Sequence, residues 1–297
     1  MGTVAVGVVG IGAMGMGIAR NLLARGYAVH VRDIRAEAEA EARAAGAVVH
    51  PSPVSLAREC GVVMTVVVND AQTEEVVFGA DGVAETLARD AVLVLNSTLS
   101  PAFVAAAAER LTARGLAMLD APISGGPARA RDGTMSMMIA GPAAARDRAG
   151  AVLADAAAKR FVIGERPGDG ARMKLVNNML AGVNLAAGCE AMALALRLGL
   201  DPQIAHDVIN ASSGGSWMFA DRMPRVLAGD YATKAAVHIL AKDLGLLLET
   251  AAENDFPAPI AAVARQAYLA TMALGHGDED DSAVIKSYAQ PAGIALP

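Results

Sequence analysis

Hydrophobic positions in the first half of the chain fall in short blocks. Residues 4–9, 62–68 and 91–95 are apolar without polar alternation, the pattern of parallel strands covered on both faces. Residues 27–32 read as a second strand, 116–119 and 135–139 as further strands, and 161–163 as a short last candidate. Between them, residues 14–25, 36–45 and 101–113 read as helices, and Gly26 stands where a helix C-cap would. Strands alternating with helices predict a parallel sheet with helices on both faces.

The pattern changes near Gly164. The run GERPGDG (164–170) is breaker-rich and charged, which predicts domains at 1–164 and 165–297. Beyond it strand signals fade. Residues 171–198 form one helical stretch, apolar nearly all round, with Lys174, Asn178 and Glu190 as isolated polar points. Such a helix must be covered, so it is expected at the centre of a helical second domain or in an oligomer interface. Residues 202–210, 235–253 and 259–274 read as further helices. The acidic run GHGDEDDS (275–282) reads as a solvated loop.

Composition narrows the function classes. A net charge of -6 argues against nucleic acid, which needs a basic face. Mean hydropathy is +0.38, yet the longest uncharged stretch of the apolar helix, 175–189, carries three Asn and is bounded by Lys174 and Glu190. No membrane span is therefore expected. The apolar run at Val4 lacks a preceding basic stretch, which argues against a signal peptide. Cys60 and Cys189 form no CxxC, and the five His show no HxxxH or HxH spacing. A reducing cytoplasm fits, and a zinc site is not expected.

The chemistry begins at GIGAMGMG, between the first strand and the first helix. Gly10 permits the turn, Gly12 lets backbone approach a pyrophosphate, and Gly15 lets the helix pack closely on the strand. The helix N-terminus, with Ile11, Ala13 and Met14 in the loop, presents N–H groups to the anion. Asp33 follows the second strand, 18 residues after Gly15, where an acid accepts hydrogen bonds from the adenosine ribose. A carboxylate there favours NAD over NADP, although Arg35 is near enough to meet a 2'-phosphate. Val67, Val68 and Asn69, and the Asn96-Ser97-Thr98 run, mark two further strand ends where open parallel sheets bind ligands. The same Asn, Ser and Thr residues are ordinary helix caps.

Downstream, DAPISGG (120–126) offers the Ser124 hydroxyl and the backbone N–H groups of Gly125 and Gly126, either a carboxylate nest or a flexible turn. In Gly168-x-Gly170-x-x-x-Lys174-x-x-x-Asn178 the lysine and asparagine share a helix face. A lysine on an apolar helix is costly unless paired or functional, and burial moves a lysine toward the range where it exchanges protons. Asn178 would orient the lysine or bind the same substrate oxygen. Trp217 and Phe219 have two readings, contact with a substrate tail and helix packing.

With these motifs in order, the chain resembles the β-hydroxyacid dehydrogenase family, which includes 3-hydroxyisobutyrate dehydrogenase and tartronate semialdehyde reductase. The likeness spans nearly the whole chain: the dinucleotide loop 10–17 with Asn21, DAPISGG, GxGxxxKxxxN and KDLG at 242–245. It implies an α/β Rossmann dinucleotide-binding domain followed by an all-α domain. It also implies Lys174 as acid/base, Asn178 and residues 124–126 as substrate ligands, and Lys242 near the cofactor. The family is usually dimeric or tetrameric. SSGGSWMFADRM (212–223), GDY (229–231) and EDDSAVIK (279–286) resemble the branch that oxidises a four-carbon sugar acid at C2 with NAD. The alternatives are 3-hydroxyisobutyrate oxidation, tartronate semialdehyde reduction, or a catalytically silent dinucleotide-binding protein. Imine-reducing relatives usually lack the lysine.

Overall fold

The first strand, β1 (Val6–Val9), is buried at all four positions, as its unbroken apolar sequence requires. In the computed structural model, which describes residues 4–297, it starts a regular alternation. The order is α1 (Ala13–Ala24), β2 (Val29–Arg32), α2 (Ala36–Ala44), β3 (Val48–Val49), α3 (Pro53–Ala57), β4 (Val62–Thr65), α4 (Asp70–Phe78), β5 (Val92–Leu95), α5 (Pro101–Ala113) and β6 (Ala117–Asp120). These six strands are parallel in the order β3-β2-β1-β4-β5-β6. That is the doubly wound dinucleotide-binding order. Val8, Ile18 and Leu22 belong to the core on one side of the sheet, and Leu93, Val104 and Leu111 to the core on the other.

The sheet then departs from the all-parallel expectation. β7 (Ile123–Ser124), α6 (Gly126–Asp132), β8 (Ser136–Ala140), α7 (Ala143–Ala156) and β9 (Lys159–Gly164) follow. β8 runs antiparallel to both β6 and β7, and β9 is parallel to β8. The link from β6 to β8 does not cross the sheet as a free helix, because β7 within it pairs directly with β8. Two-residue β3 and β7 carry too few positions for periodicity to reveal.

α8 (Asp169–Arg197) is one unbroken 29-residue helix. The chain divides along it into two compact units, one ending at Lys174 and the other spanning Leu175–Pro297. The opening turns of α8 therefore belong to the sheet unit, ten residues beyond the end of β9. By length and composition α8 would cross a bilayer, yet Leu175, Leu185, Cys189 and Met192 pack into the core of the helical unit. On the opposite face Val176, Leu180 and Leu194 are more than half exposed among the described residues.

The helical unit continues with α9 (Pro202–Asn210), α10 (Trp217–Leu227), α11 (Val237–Glu253), α12 (Pro259–Thr271) and α13 (Lys286–Ala289). Its acidic segment corrects the solvated-loop expectation. Asp280, Asp281 and Ser282 are fully buried. Arg222 binds both carboxylate oxygens of Asp281, at 2.6 and 3.2 Å, and Arg225 pairs with Asp280. Burial pushes the Asp281 carboxyl up to about 6 against the pull of Arg222. Charge runs read as solvated only when no cations elsewhere in the sequence fold onto them, and Arg222 and Arg225 lie more than fifty residues upstream.

Candidate active site

The nucleotide end is built on the turn from β1 to α1. Gly12 is the N-cap of α1 and supplies no side-chain cap, and the first amide bonded back along the helix is that of Met16. The amides ahead of it have no helical acceptor. A Cβ on Gly15 would lie 2.0 Å from the Gly10 carbonyl oxygen, so only glycine lets α1 sit this close to the strand end. A Cβ on Gly12 would meet only Arg35 Nη2, at 3.8 Å. That open backbone, with Ala13 exposed and Met14 half-buried beside it, fits a pyrophosphate.

Asp33 is buried beside this loop. Its Oδ2 accepts the Ile11 amide at 2.8 Å and Arg35 Nη2 at 3.1 Å, and its Oδ1 accepts the Arg35 amide at 2.9 Å and Arg35 Nε at 3.0 Å. Burial alone would raise the carboxyl pKa. The hydrogen bonds from Arg35 and Ile11 outweigh it and hold the group below its ordinary value. Arg35 is thus already engaged by Asp33.

The other strand ends are pinned by side chains. The Val67 amide donates to Ser97 Oγ at 3.0 Å, and the Val68 amide to Gln72 Oε1 at 2.9 Å. Asn69 caps α4 by accepting the Gln72 amide at 2.9 Å. Thr98 is half-buried. Ser97 was legible as a ligand-facing strand end or a helix cap, and its support of Val67 comes from the pairing of β4 with β5.

At the chemical end, Ser124 closes β7, Gly125 is the N-cap of α6 and Gly126 opens it. Lys174 is 7% exposed and donates from Nζ to the Ile123 carbonyl at 2.7 Å. The lysine therefore does not reach out to solvent and lies against the residue preceding Ser124. Asp120, the first residue of DAPISGG, is 1% exposed. Its Oδ2 accepts the amides of Gly168 and Ala171, each at 2.9 Å. Burial pushes its carboxyl up to about 6, against the lowering effect of the Ala171, Gly168 and Gly170 amides. Sequence reading missed this acid, although it stands inside a recognised motif.

In the helical unit, Asn178 Nδ2 donates to Asp243 Oδ2 at 2.6 Å, and Lys242 Nζ lies 2.7 Å from Asp243 Oδ1. Asp243, buried and also missed, joins the predicted Asn178 and Lys242; its signal was the KDLG motif. Trp217 is half exposed at the start of α10, but Phe219 is 1% exposed and stacks on His206 with ring centroids 5.9 Å apart. Phe219 is core, and its assignment as a substrate contact is withdrawn.

Comparisons with known proteins agree with this architecture. Residues 5–164 match the family model described as the NAD binding domain of 6-phosphogluconate dehydrogenase. Residues 168–288 match the model described as NAD-binding of NADP-dependent 3-hydroxyisobutyrate dehydrogenase. The chain is 48% identical to an L-threonate dehydrogenase of Cupriavidus necator over 98% of this chain and 97% of that one. It is 41% identical to an L-threonate dehydrogenase of Escherichia coli K12, over 98% and 96%. A crystal structure described as 3-hydroxyisobutyrate dehydrogenase from Salmonella typhimurium superposes with a TM-score of 0.90 at 41% identity, covering 95% of this chain and 99% of that one. With an NAD-binding sheet domain, a helical domain after it and relatives of this closeness along nearly its whole length, the chain belongs to the β-hydroxyacid dehydrogenases of the 3-hydroxyisobutyrate dehydrogenase type.

Proposed function

We propose that this NAD-dependent oxidoreductase acts on L-threonate, oxidising it at C2 with Lys174 as general acid/base. The observation that carries the mechanism is the buried Lys174 amine, held 2.7 Å from the Ile123 carbonyl and next in sequence to the Ser124–Gly125–Gly126 turn. Identity of 48% to an L-threonate dehydrogenase over nearly the full length supports the substrate.

In this reading the amides ahead of α1 hold the pyrophosphate, and Asp33 with Arg35 recognises the adenosine end. Val67, Val68, Asn69, Thr98 and Lys242 complete the cofactor contacts. Bound there, NAD would supply the hydride acceptor for the carbinol carbon. Ser124 and the Gly125 and Gly126 amides bind the substrate carboxylate, since a hydroxyl and adjacent N–H donors suit an anion. Lys174, as the neutral amine, takes the hydroxyl proton; in the reverse direction its ammonium returns it. Asn178, one turn along α8, binds the same oxygen, and half-exposed Trp217 meets the substrate tail.

The enzyme works in the cytoplasm as a homodimer or homotetramer assembled through the helical unit. The exposed apolar face of α8 and the absence of any buried residue in α9 support that assembly. The test is a panel of L-threonate, D-erythronate, glycerate and 3-hydroxyisobutyrate with NAD and with NADP. The highest kcat/KM should fall on L-threonate with NAD. A higher value for 3-hydroxyisobutyrate would move the enzyme to another branch, and tight NADH binding without turnover of any acid would mark a silent binding protein.

A further inference from the structure

We infer that Asp120 is a positioning residue for Lys174, setting where the amine comes to rest by gripping the first turn of α8. The inference rests on the acid/base role given to Lys174.

Two contacts from one short segment hold the start of α8. Asp120 Oδ2 takes the Gly168 and Ala171 amides at 2.9 Å. Three residues along, the Ile123 carbonyl takes Lys174 Nζ at 2.7 Å. Ala171 and Lys174 are also three apart, so residues 120–123 and 171–174 are joined at both ends. The space between is closed as well. A Cβ on Gly170 would lie 2.9 Å from the Asp120 carbonyl oxygen, 3.0 Å from its carboxyl carbon and 2.8 Å from the Met138 carbonyl oxygen. The glycine of the GxGxxxK motif is what allows the acid of DAPISGG to reach the helix.

The carboxylate is an expensive way to hold a helix end. It is 1% exposed and accepts its hydrogen bonds from the Gly168 and Ala171 backbone amides, and burying a carboxylate is costly. A helix N-terminus in solvent needs no such partner, because water satisfies its amides. Fixing the helix makes sense where a displacement of about 1 Å at a reacting group costs on the order of 10²-fold in rate.

The experiment compares Asp120→Ala and Asp120→Asn, each alone and combined with Lys174→Ala. It reads kcat, KM, the NADH Kd by fluorescence titration and the thermal midpoint. Asp120→Ala should lower kcat by about 30- to 100-fold, with the NADH Kd within about twofold. Asp120→Asn keeps an acceptor oxygen and should stay within about fivefold of wild type. On top of Lys174→Ala, Asp120→Ala should cost less than about threefold more, because groups acting as a unit are not additive.

If Asp120→Ala fails to fold, Asp120→Ser, whose acceptor falls one bond short, carries the same expectations. A fall in kcat just as large in the Lys174→Ala background, or a parallel weakening of NADH binding, would show general loosening and overturn the inference. So would near-normal kcat in Asp120→Ala when Lys174→Ala is inactive. Near-normal turnover in Lys174→Ala alone would instead overturn the acid/base reading, and this inference with it.

Discussion

Lys174 Nζ and the Ile123 carbonyl oxygen stand 2.7 Å apart. The Ile123 carbonyl fixes the amine on the strand that leads into Ser124. Replacing Lys174 with Ala removes that group and leaves the glycine loop and Asp33 untouched. Turnover should fall by about 10²- to 10⁴-fold, the usual contribution of a positioned acid/base. NADH affinity, followed by fluorescence titration, should stay within about twofold.

Cofactor choice belongs to a pair of residues. Asp33 accepts four hydrogen bonds, three of them from Arg35, and an ionised carboxylate has about four acceptor positions. A ribose diol must therefore compete with Arg35 for Asp33, and a 2'-phosphate would find the guanidinium already nearby. Arg35→Ala should raise the ratio of NADPH Kd to NADH Kd by about tenfold, the equivalent of one hydrogen bond to a charged group. Asp33→Ala should lower the same ratio. Direct titration of both nucleotides against both variants decides it; a ratio unmoved in either variant would remove the pair from cofactor choice.

Asn178 has a definite amide orientation. Its Nδ2 donates to Asp243 Oδ2 at 2.6 Å and its Oδ1 accepts from Asn177 Nδ2 at 3.0 Å, so the amide nitrogen faces Asp243. Asp243→Ala frees the amide to rotate. We predict a loss of about tenfold in kcat/KM, the scale of one charge-assisted hydrogen bond, with NADH binding retained. Asn178→Ala and the double variant should lose no more than about the larger single effect. Additive losses would mean that the two side chains act separately.

The fold was legible where many residues repeat one signal. β1, β4 and β5 are four-residue buried strands whose apolar runs stand out, and α8 announces itself by length. Lys174 and Asn178 were legible because polar residues are rare on such a helix. Asp120 and Asp243 were not, although both lie in motifs that the sequence displays. Each acts on partners at least 48 residues away, the Gly168 and Ala171 amides and the Asn178 amide, and no local pattern encodes such a partner. Phe219 failed for the converse reason: an aromatic beside an exposed Trp217 on one helix can still face inward, and α10 turns the two side chains to different environments.

The buried Asp120 carboxyl also gives stability a pH dependence of known sign. Its folded-state pKa, about 6, lies above the ordinary value of 3.8, so the native state holds the proton more tightly than the unfolded chain. That contribution is full below 3.8 and is lost as pH rises through 6. From pH 4.5 to 7.5 the loss amounts to about 2 kcal/mol. The chain as a whole will not display this curve alone. Asp281 is raised to about 6 as well, whereas Asp33, Asp169, Glu279 and Asp280 are lowered and act in the opposite sense at more acid pH. Asp120→Asn isolates it, because the amide keeps an acceptor oxygen and cannot ionise. Urea unfolding of both proteins from pH 4.5 to 7.5 should show the stability of Asp120→Asn rising relative to wild type by about 2 kcal/mol, most of it between pH 5 and 6.5. A gap that stays constant across that range would mean that Asp120 titrates alike in the folded and unfolded chain, and that burial does not hold its proton.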